Sequence, residues 1–435
     1  MAQVLLCSAP LTGHVSPMVT IGRQLINDGW TVTMLTGKRF RDKVETAGIR
    51  HVALPASCDF DDSDLDNEFP GRSRIPGVLR SRFDLDQFFA DKIAGQDRAV
   101  STLLAEGDFD VVLAENLFFG LLPMLSSPRR DRPRIGTVCT SPLMAASRDT
   151  GPFGPGFRPS TTPWGMRRNR LLNLGARKLV LRRAQRIADD AVRASVGRDA
   201  AVFMLDWPLL ADDIFVLTTP SFEYPRRDID HRLTYVGPAV DGGVVEHQPP
   251  PWSDRLDGSA PVVVVTQGTL DNDDMGRLIE PTLAGLADTD ALVIATTGGP
   301  AASLVRSPGA NAVVTEFVPY EWMLPRTDVL VTNGGWGGVH FALRHGVPMV
   351  VAGTTEDKNE VAARIVRSGT GIRIRSTRPS AIRRAVRAVL DDPGYRERAR
   401  AMAAELADLD GSKRISAALG TPPESRAGTP GACTR

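Results

Sequence analysis

Asp328-Val329-Leu330-Val331-Thr332 runs straight into Asn333-Gly334-Gly335-Trp336-Gly337-Gly338, and then into Val339-His340-Phe341-Ala342-Leu343-Arg344. The first segment is an apolar run of strand length, and the last has the pattern of a helix over 338–344. Between them, four glycines surround one tryptophan. Glycine lets the backbone approach an anion closely, and the free amides at a helix N-terminus favour negative charge. The junction therefore reads as a cradle for a diphosphate. A lone Gly-Gly would be read as a tight turn with no ligand; four glycines at a strand-to-helix junction favour the cradle.

The same alternation extends outward in both directions. Strands are expected at 261–266, 291–296, 312–317, 329–332 and 347–351, with a helix at 275–287. The first half gives strands at 4–8, 31–35, 51–54, 111–114, 135–139 and 214–217. Its first helix is expected over 17–27, with Ser16 as N-cap, Pro17 at the first position and Gly29 closing it. Strands separated by helices point to parallel sheets covered on both faces. The chain thus divides into a domain at 1–240 and a second at 260–419. A Gly-Gly and Pro-Pro-Pro linker at 241–259 joins them. The final helices have the option of packing back on the first domain, and 420–435 reads as a disordered tail. Ligands are expected at the carboxyl ends of the strands, in the cleft between the domains.

Two irregular regions, 55–90 and 141–170, interrupt the first domain. An Arg-rich helical stretch over 167–198 follows, with Val180, Ala184, Ile187 and Ala191 on one face. A solvated face on a packed helix is preferred there over a membrane-docking helix.

At 435 residues and a net charge of +1, the chain has no global basic field to attract nucleic acid or an anionic membrane. The four cysteines are scattered, and Cys7 and Cys139 sit in strand-like runs as small core residues would. That usage suggests a reducing, cytoplasmic compartment. The N-terminus has no signal-peptide pattern, and no run of about eighteen apolar residues suggests a membrane span.

Several motifs together carry a resemblance. Phe317-Val318-Pro319-Tyr320, Thr332 through Gly338, Gly346-Val347-Pro348 and Thr355-Glu356-Asp357-Lys358 resemble the donor signature of family 1 glycosyltransferases. Thr12-Gly13-His14-Val15-Ser16-Pro17 is similar to the acceptor-side motif of that family, and 265–270 to the opening of its donor domain. The resemblance covers nearly the whole chain. It implies an α/β GT-B fold, two Rossmann-like doubly wound domains facing across a cleft. It also implies inverting, metal-independent transfer of a hexose or deoxyhexose from a UDP- or dTDP-sugar. The acceptor would be a hydroxyl of a lipophilic small molecule, a natural product or glycolipid as in the actinobacterial branch. No cofactor beyond the nucleotide sugar is implied, and the state is monomer or homodimer.

Carried over by position, the resemblance implies that Phe317 stacks on the base and that backbone groups of Val318 bind its edge. Tyr320 stands in for a glutamine near the ribose, and Thr269 and Gly13 lie beside the donor. Asp357 meets sugar hydroxyls, with Glu356 beside it. Lys358 occupies a common glutamine position, either as a cation toward the donor or as a partner for Glu356. Asn333 replaces a phosphate-binding histidine, Phe341 a ribose-binding glutamate, and Gly337 and Gly338 an Asn-Ser pair. Backbone amides must then carry more of the phosphate contact.

His14 follows the first strand, at the carboxyl edge of the first sheet. Transfer with inversion needs a base for the acceptor proton, and a neutral imidazole with an ordinary pKa near 6.5 suits that. Glu115 ends another strand at the same edge, where the family has Asp, and is the candidate to orient the ring. The acidic run 59–66 mimics a metal site. An EF-hand starting at Asp62 puts Asn67 and Ser73 where Gly and Glu are needed, so a solvated loop is expected and no metal. Phe118, Phe119, Met144, Phe153, Phe157 and Trp164 are candidates for an apolar acceptor pocket, Phe118 and Phe119 being equally at home in a core. A non-catalytic helper or a nucleotide-sugar epimerase of the same fold are the alternatives. A dehydrogenase lacks its fingerprint: Thr12-Gly13-His14 is not Gly-x-Gly-x-x-Gly.

Overall fold

The computed structural model describes residues 2–75, 77–240, 248–268, 274–299, 301–306, 308–353 and 357–420. Thirteen strands form two sheets among the described residues, and every pairing is parallel. The first sheet comprises β1 Gln3–Cys7, β2 Thr31–Thr36, β3 Arg50–Ala53, β4 Val111–Glu115, β5 Arg134–Cys139, β6 Asp213–Val216 and β7 Thr234–Tyr235, in the order β3-β2-β1-β4-β5-β6-β7. The second comprises β8 Val262–Thr266, β9 Leu292–Thr296, β10 Ala312–Thr315, β11 Val329–Thr332, β12 Met349–Val351 and β13 Gly371–Arg373, in the order β10-β9-β8-β11-β12-β13. The central strands β4 and β8 are buried along their whole length, as strands covered on both faces must be. Strand order reverses between β1 and β4, and again between β8 and β11. A doubly wound sheet opens its ligand crevice at such a reversal. The residues that matter are therefore those just after β1, β4, β8 and β11. The short strands β7 and β13 carry no apolar run by which the sequence announces them.

Six helices bear on function: α1 Thr12–Asn27, α2 Pro163–Gly175, α3 Arg182–Val196, α4 Trp336–Arg344, α5 Lys358–Ser368 and α6 Gly411–Leu419. α1 begins five residues before Pro17, which lies inside it. Ser16 is not its cap; the Ser16 hydroxyl donates to Thr12 O at 2.8 Å. The start is held from elsewhere, since Asp62 Oδ2 accepts from Thr12 N at 2.6 Å and Asp62 also pairs with Arg39 at 2.9 Å. The acidic run is thus not wholly solvated: Asp62 is buried and satisfies an orphan amide of α1.

The Arg-rich stretch is two helices joined by a π-helical turn, Ala176–Val180. The wider turn shifts the helical phase, so α3 buries Ala184, Ala188 and Val192, while Val180 stands exposed. No helix among the described residues is long and apolar enough to cross a membrane. α6 returns to the first sheet, where Ile415 and Leu419 join the core with Leu6, Ile21 and Leu25, and Ser416 Oγ donates to Asp28 Oδ2 at 2.5 Å.

The two halves meet through buried polar contacts. Arg364 on α5 donates to Glu223 Oε1 at 3.0 Å and to Glu360 Oε2 at 3.0 Å, and Arg226 reaches Glu223 at 3.0 Å. Burial works against the charge on Glu223, but Arg364 and Arg226 outweigh it and bring its pKa down to about 2. Phe222 inserts beside Trp336 and His340 of α4, and His340 Nε2 meets Thr218 Oγ1 at 2.7 Å.

Candidate active site

On the first sheet, the reversal between β1 and β4 brings His14 and Glu115 together. His14 lies in the first turn of α1, and its Nδ1 is 2.7 Å from Glu115 Oε2. Glu115 is fully buried, and its carboxylate is held by two backbone donors as well: Ala9 N to Oε1 at 3.0 Å and Leu117 N to Oε2 at 2.7 Å. Thr140 Oγ1, just beyond β5, also sits 2.8 Å from His14 Nδ1. The Thr140 hydroxyl and amide both reach Asn116 Oδ1, at 3.3 and 3.0 Å. With Glu115 accepting at Nδ1, that nitrogen carries the proton and the Nε2 lone pair is left for a substrate. Burial disfavours a charged ring at His14, yet the charge and hydrogen bond of Glu115, joined by Asp357 and Asp62, outweigh it and raise its pKa above the ordinary value. Asp357 is the N-cap of α5, in the half that carries the second sheet, so charges from both halves bear on one imidazole. Thr140 escaped the sequence reading because a threonine after an apolar strand carries no distinguishing signal.

On the second sheet, Gly268 follows β8 and 333–338 follow β11. Both turns close alike: Thr266 Oγ1 accepts from Gly268 N and Thr332 Oγ1 accepts from Gly334 N, each at 3.1 Å. Gly334 adopts a φ of 91°, open to glycine at little cost. Gly335 is the N-cap of α4, so Gly337 and Gly338 lie inside its first turn rather than before it. The amides of Trp336, Gly337 and Gly338 are those a helix start leaves without intrahelical partners. The loop after β12 passes so close that a Cβ on Gly353 would fall 1.7 Å from Asn333 O and 2.8 Å from Lys358 Cδ, a constraint the sequence reading missed.

Beside this turn lies a cavity of about 340 Å³ lined by Thr266, Gly268, Thr296, Gly298, Phe317, Val318, Pro319, Tyr320, Glu321 and Phe341. Phe317 stands 64% exposed at its edge, free to receive a flat ring. Tyr320 and Phe341 pack edge to face at 5.5 Å between centroids.

Comparison with known proteins bears on this arrangement. Residues 280–415 match the family model described as erythromycin biosynthesis protein CIII-like, C-terminal domain. The chain is 40% identical to 4'-demethylrebeccamycin synthase of Lentzea aerocolonigenes over 94% of its own length and 96% of that protein's. It is a family 1 glycosyltransferase of the natural-product type. A second relative of the transferase is UDP-glycosyltransferase 2 of Phaeomoniella chlamydospora, 35% identical over 95% of this chain and 94% of the relative. The solved glycotransferase of kitacinnamycin superposes with a TM-score of 0.72 at 21% identity, covering 96% and 98% of the two chains, and shares the GT-B fold.

Within the transferase, the candidate residues part company. Phe317, Val318 and Tyr320 line the cavity; Gly13 is exposed beside His14 in the first turn of α1, and the charge of Asp357 acts on His14. Asn333 turns its amide to Gln267 O, so its Nδ2 braces the turn. The Trp336 ring is buried among Phe222, His340 and the core of the second domain, which leaves its backbone for a ligand. Lys358 is buried with its stem beneath the turn. Thr269 and Glu356 lie outside the described residues. Phe118 and Phe119 are fully buried core residues around Val112 and Leu122, not pocket walls, because the chain after β4 turns inward. Met144 and Phe153 border a gap of only about 20 Å³. Phe157 packs against Gly151 at the surface. Trp164 is 79% exposed on α2, away from any cavity wall described above.

Proposed function

We propose that the transferase moves a hexose or deoxyhexose from a UDP- or dTDP-sugar to a hydroxyl of a lipophilic natural product or glycolipid, with inversion. The observation that carries this reading is the His14–Glu115 pair with Asp357 of the opposite domain close enough to bias it. His14 Nε2 takes the acceptor proton as the acceptor oxygen bonds to the anomeric carbon. The bond from that carbon to the diphosphate breaks on the opposite face, and its electron pair leaves with the phosphate. Glu115 stabilises the imidazolium, and amides of 336–338 at the positive end of α4 stabilise the leaving group. Phe317 stacks on the base, backbone groups of Val318 bind its edge, and Asp357 binds sugar hydroxyls. A UDP-glycosyltransferase and a 4'-demethylrebeccamycin synthase among the relatives support the donor and acceptor classes. A cytoplasmic setting fits the free thiols of Cys7, Cys58 and Cys139.

The test is His14→Ala. Transfer should fall by about a hundred- to ten-thousandfold, with donor binding, read as a thermal shift, retained. Near-normal turnover would remove His14 from the chemistry.

A further inference from the structure

A surface helix of a globular protein turns its apolar stripe inward. α2 does the opposite. Trp164, Arg167, Leu171 and Leu174 fall within an arc of about 80° at 3.6 residues per turn, and all four are exposed. The π-helical turn that follows adds Leu179, 77% exposed, and Val180. The buried residue of α2 is a polar one, Asn169.

Charge completes the pattern. Residues 150–188 contain nine Lys and Arg and no Asp or Glu, so a chain of net charge +1 concentrates its positive charge here. Arg167, Arg168 and Arg170 are exposed in or beside the apolar stripe of α2, Lys178 is exposed on the turn and Arg182 and Arg186 on the start of α3, and the Arg167 guanidinium lies 5.8 Å from the Trp164 ring centre. Outward Trp and Leu ringed by basic side chains are the makings of a helix that lies in a bilayer interface, ring and aliphatic groups among the acyl chains and cations among anionic headgroups. A symmetric contact with a second copy would press two such basic segments together, which their charge opposes.

We propose that α2 and the turn after it form a docking surface for an anionic lipid bilayer, on which the enzyme rests without spanning it. Docking would set the irregular segment before α2 against the phase in which lipophilic molecules dissolve. The surface is distinct from the sugar-transfer site, and its test needs no catalysis.

Full-length protein is sedimented with vesicles of phosphatidylcholine alone, and of phosphatidylcholine with one part in three phosphatidylglycerol. Binding to the anionic vesicles should exceed binding to the neutral ones by about tenfold or more and weaken as salt is raised. Arg167→Glu with Arg170→Glu should lower it by about tenfold or more, and Leu171→Ser with Leu179→Ser should lower it comparably, with Tm unchanged. Absence of binding to anionic vesicles, or equal binding by these variants, would overturn the proposal. So would a concentration-dependent dimer that Leu171→Ser with Leu179→Ser abolishes.

Discussion

Replacing Glu115 by Gln separates the two services this carboxylate gives His14. One oxygen accepts from Ala9 N, and the other accepts from both Leu117 N and His14 Nδ1. A glutamine in this pocket keeps most of that pattern by turning its amide nitrogen toward Ala9 N. One donor then faces another, at a cost of about 1–3 kcal/mol of stability. The carbonyl still accepts from His14 Nδ1, so the tautomer survives and Nε2 remains the base. What disappears is the negative charge opposite the imidazolium. Hydrogen bonds to charged groups contribute about 1.5–3 kcal/mol, so kcat should fall by roughly ten- to a hundredfold. The pH dependence carries the diagnostic sign. A base must be neutral, and the His14 pKa is raised, so the acid limb of kcat/KM for the acceptor should lie above pH 6.5 in the native enzyme. Without the Glu115 charge, burial remains as the largest influence and lowers the ring's pKa, so the limb should move to lower pH. Steady-state rates from pH 5 to 9, with donor binding followed by thermal shift, measure both. An unmoved limb together with kcat within about threefold of native would refute the assigned role.

Other perturbations test other parts. Phe317→Ala should weaken donor binding by about 1–3 kcal/mol with little change in fold, because the lost ring is exposed and its proposed use is stacking; donor titration by calorimetry reads this. Arg364→Met leaves Glu223 buried beside Arg226 alone and should cost about 3–5 kcal/mol in urea unfolding. His340, bound to Trp336 O and Thr218 and pushed down to about 4 by burial, binds protons more readily when unfolded. Its contribution to stability is therefore present above about pH 6.5 and lost as pH falls toward 4, and urea midpoints across that range should show a slope that His340→Gln flattens. His14 has the opposite sign: its pKa is raised, so its contribution is full below pH 6.5 and is lost as pH rises through its folded value.

The alternation of apolar strands and helices was legible because parallel strands buried on both faces must be apolar throughout, and β8, four valines and a threonine, is such a run. The strand-to-helix turn at 333–338 was legible because its glycines, strand and helix are contiguous. The start of α1 was not. Pro17 looks like a first-turn proline, and the group that starts the helix earlier, Asp62, comes from a loop fifty residues away. The same contact explains why an acidic run that reads as solvated has a buried member. Thr140 and Gly353 owe their places to neighbours distant in sequence, Glu115 and Asn333, and nothing local marks them. Phe118 and Phe119 are as apolar as any pocket residue, and only the inward turn after β4 consigns them to the core.

The most direct measurement is the anomeric configuration of the first product released, read by proton NMR from the coupling of its anomeric proton. A single displacement, with His14 on one face of the sugar and the α4 turn on the other, gives a linkage opposite to that of the nucleotide sugar supplied. A product that keeps the donor's configuration would contradict it.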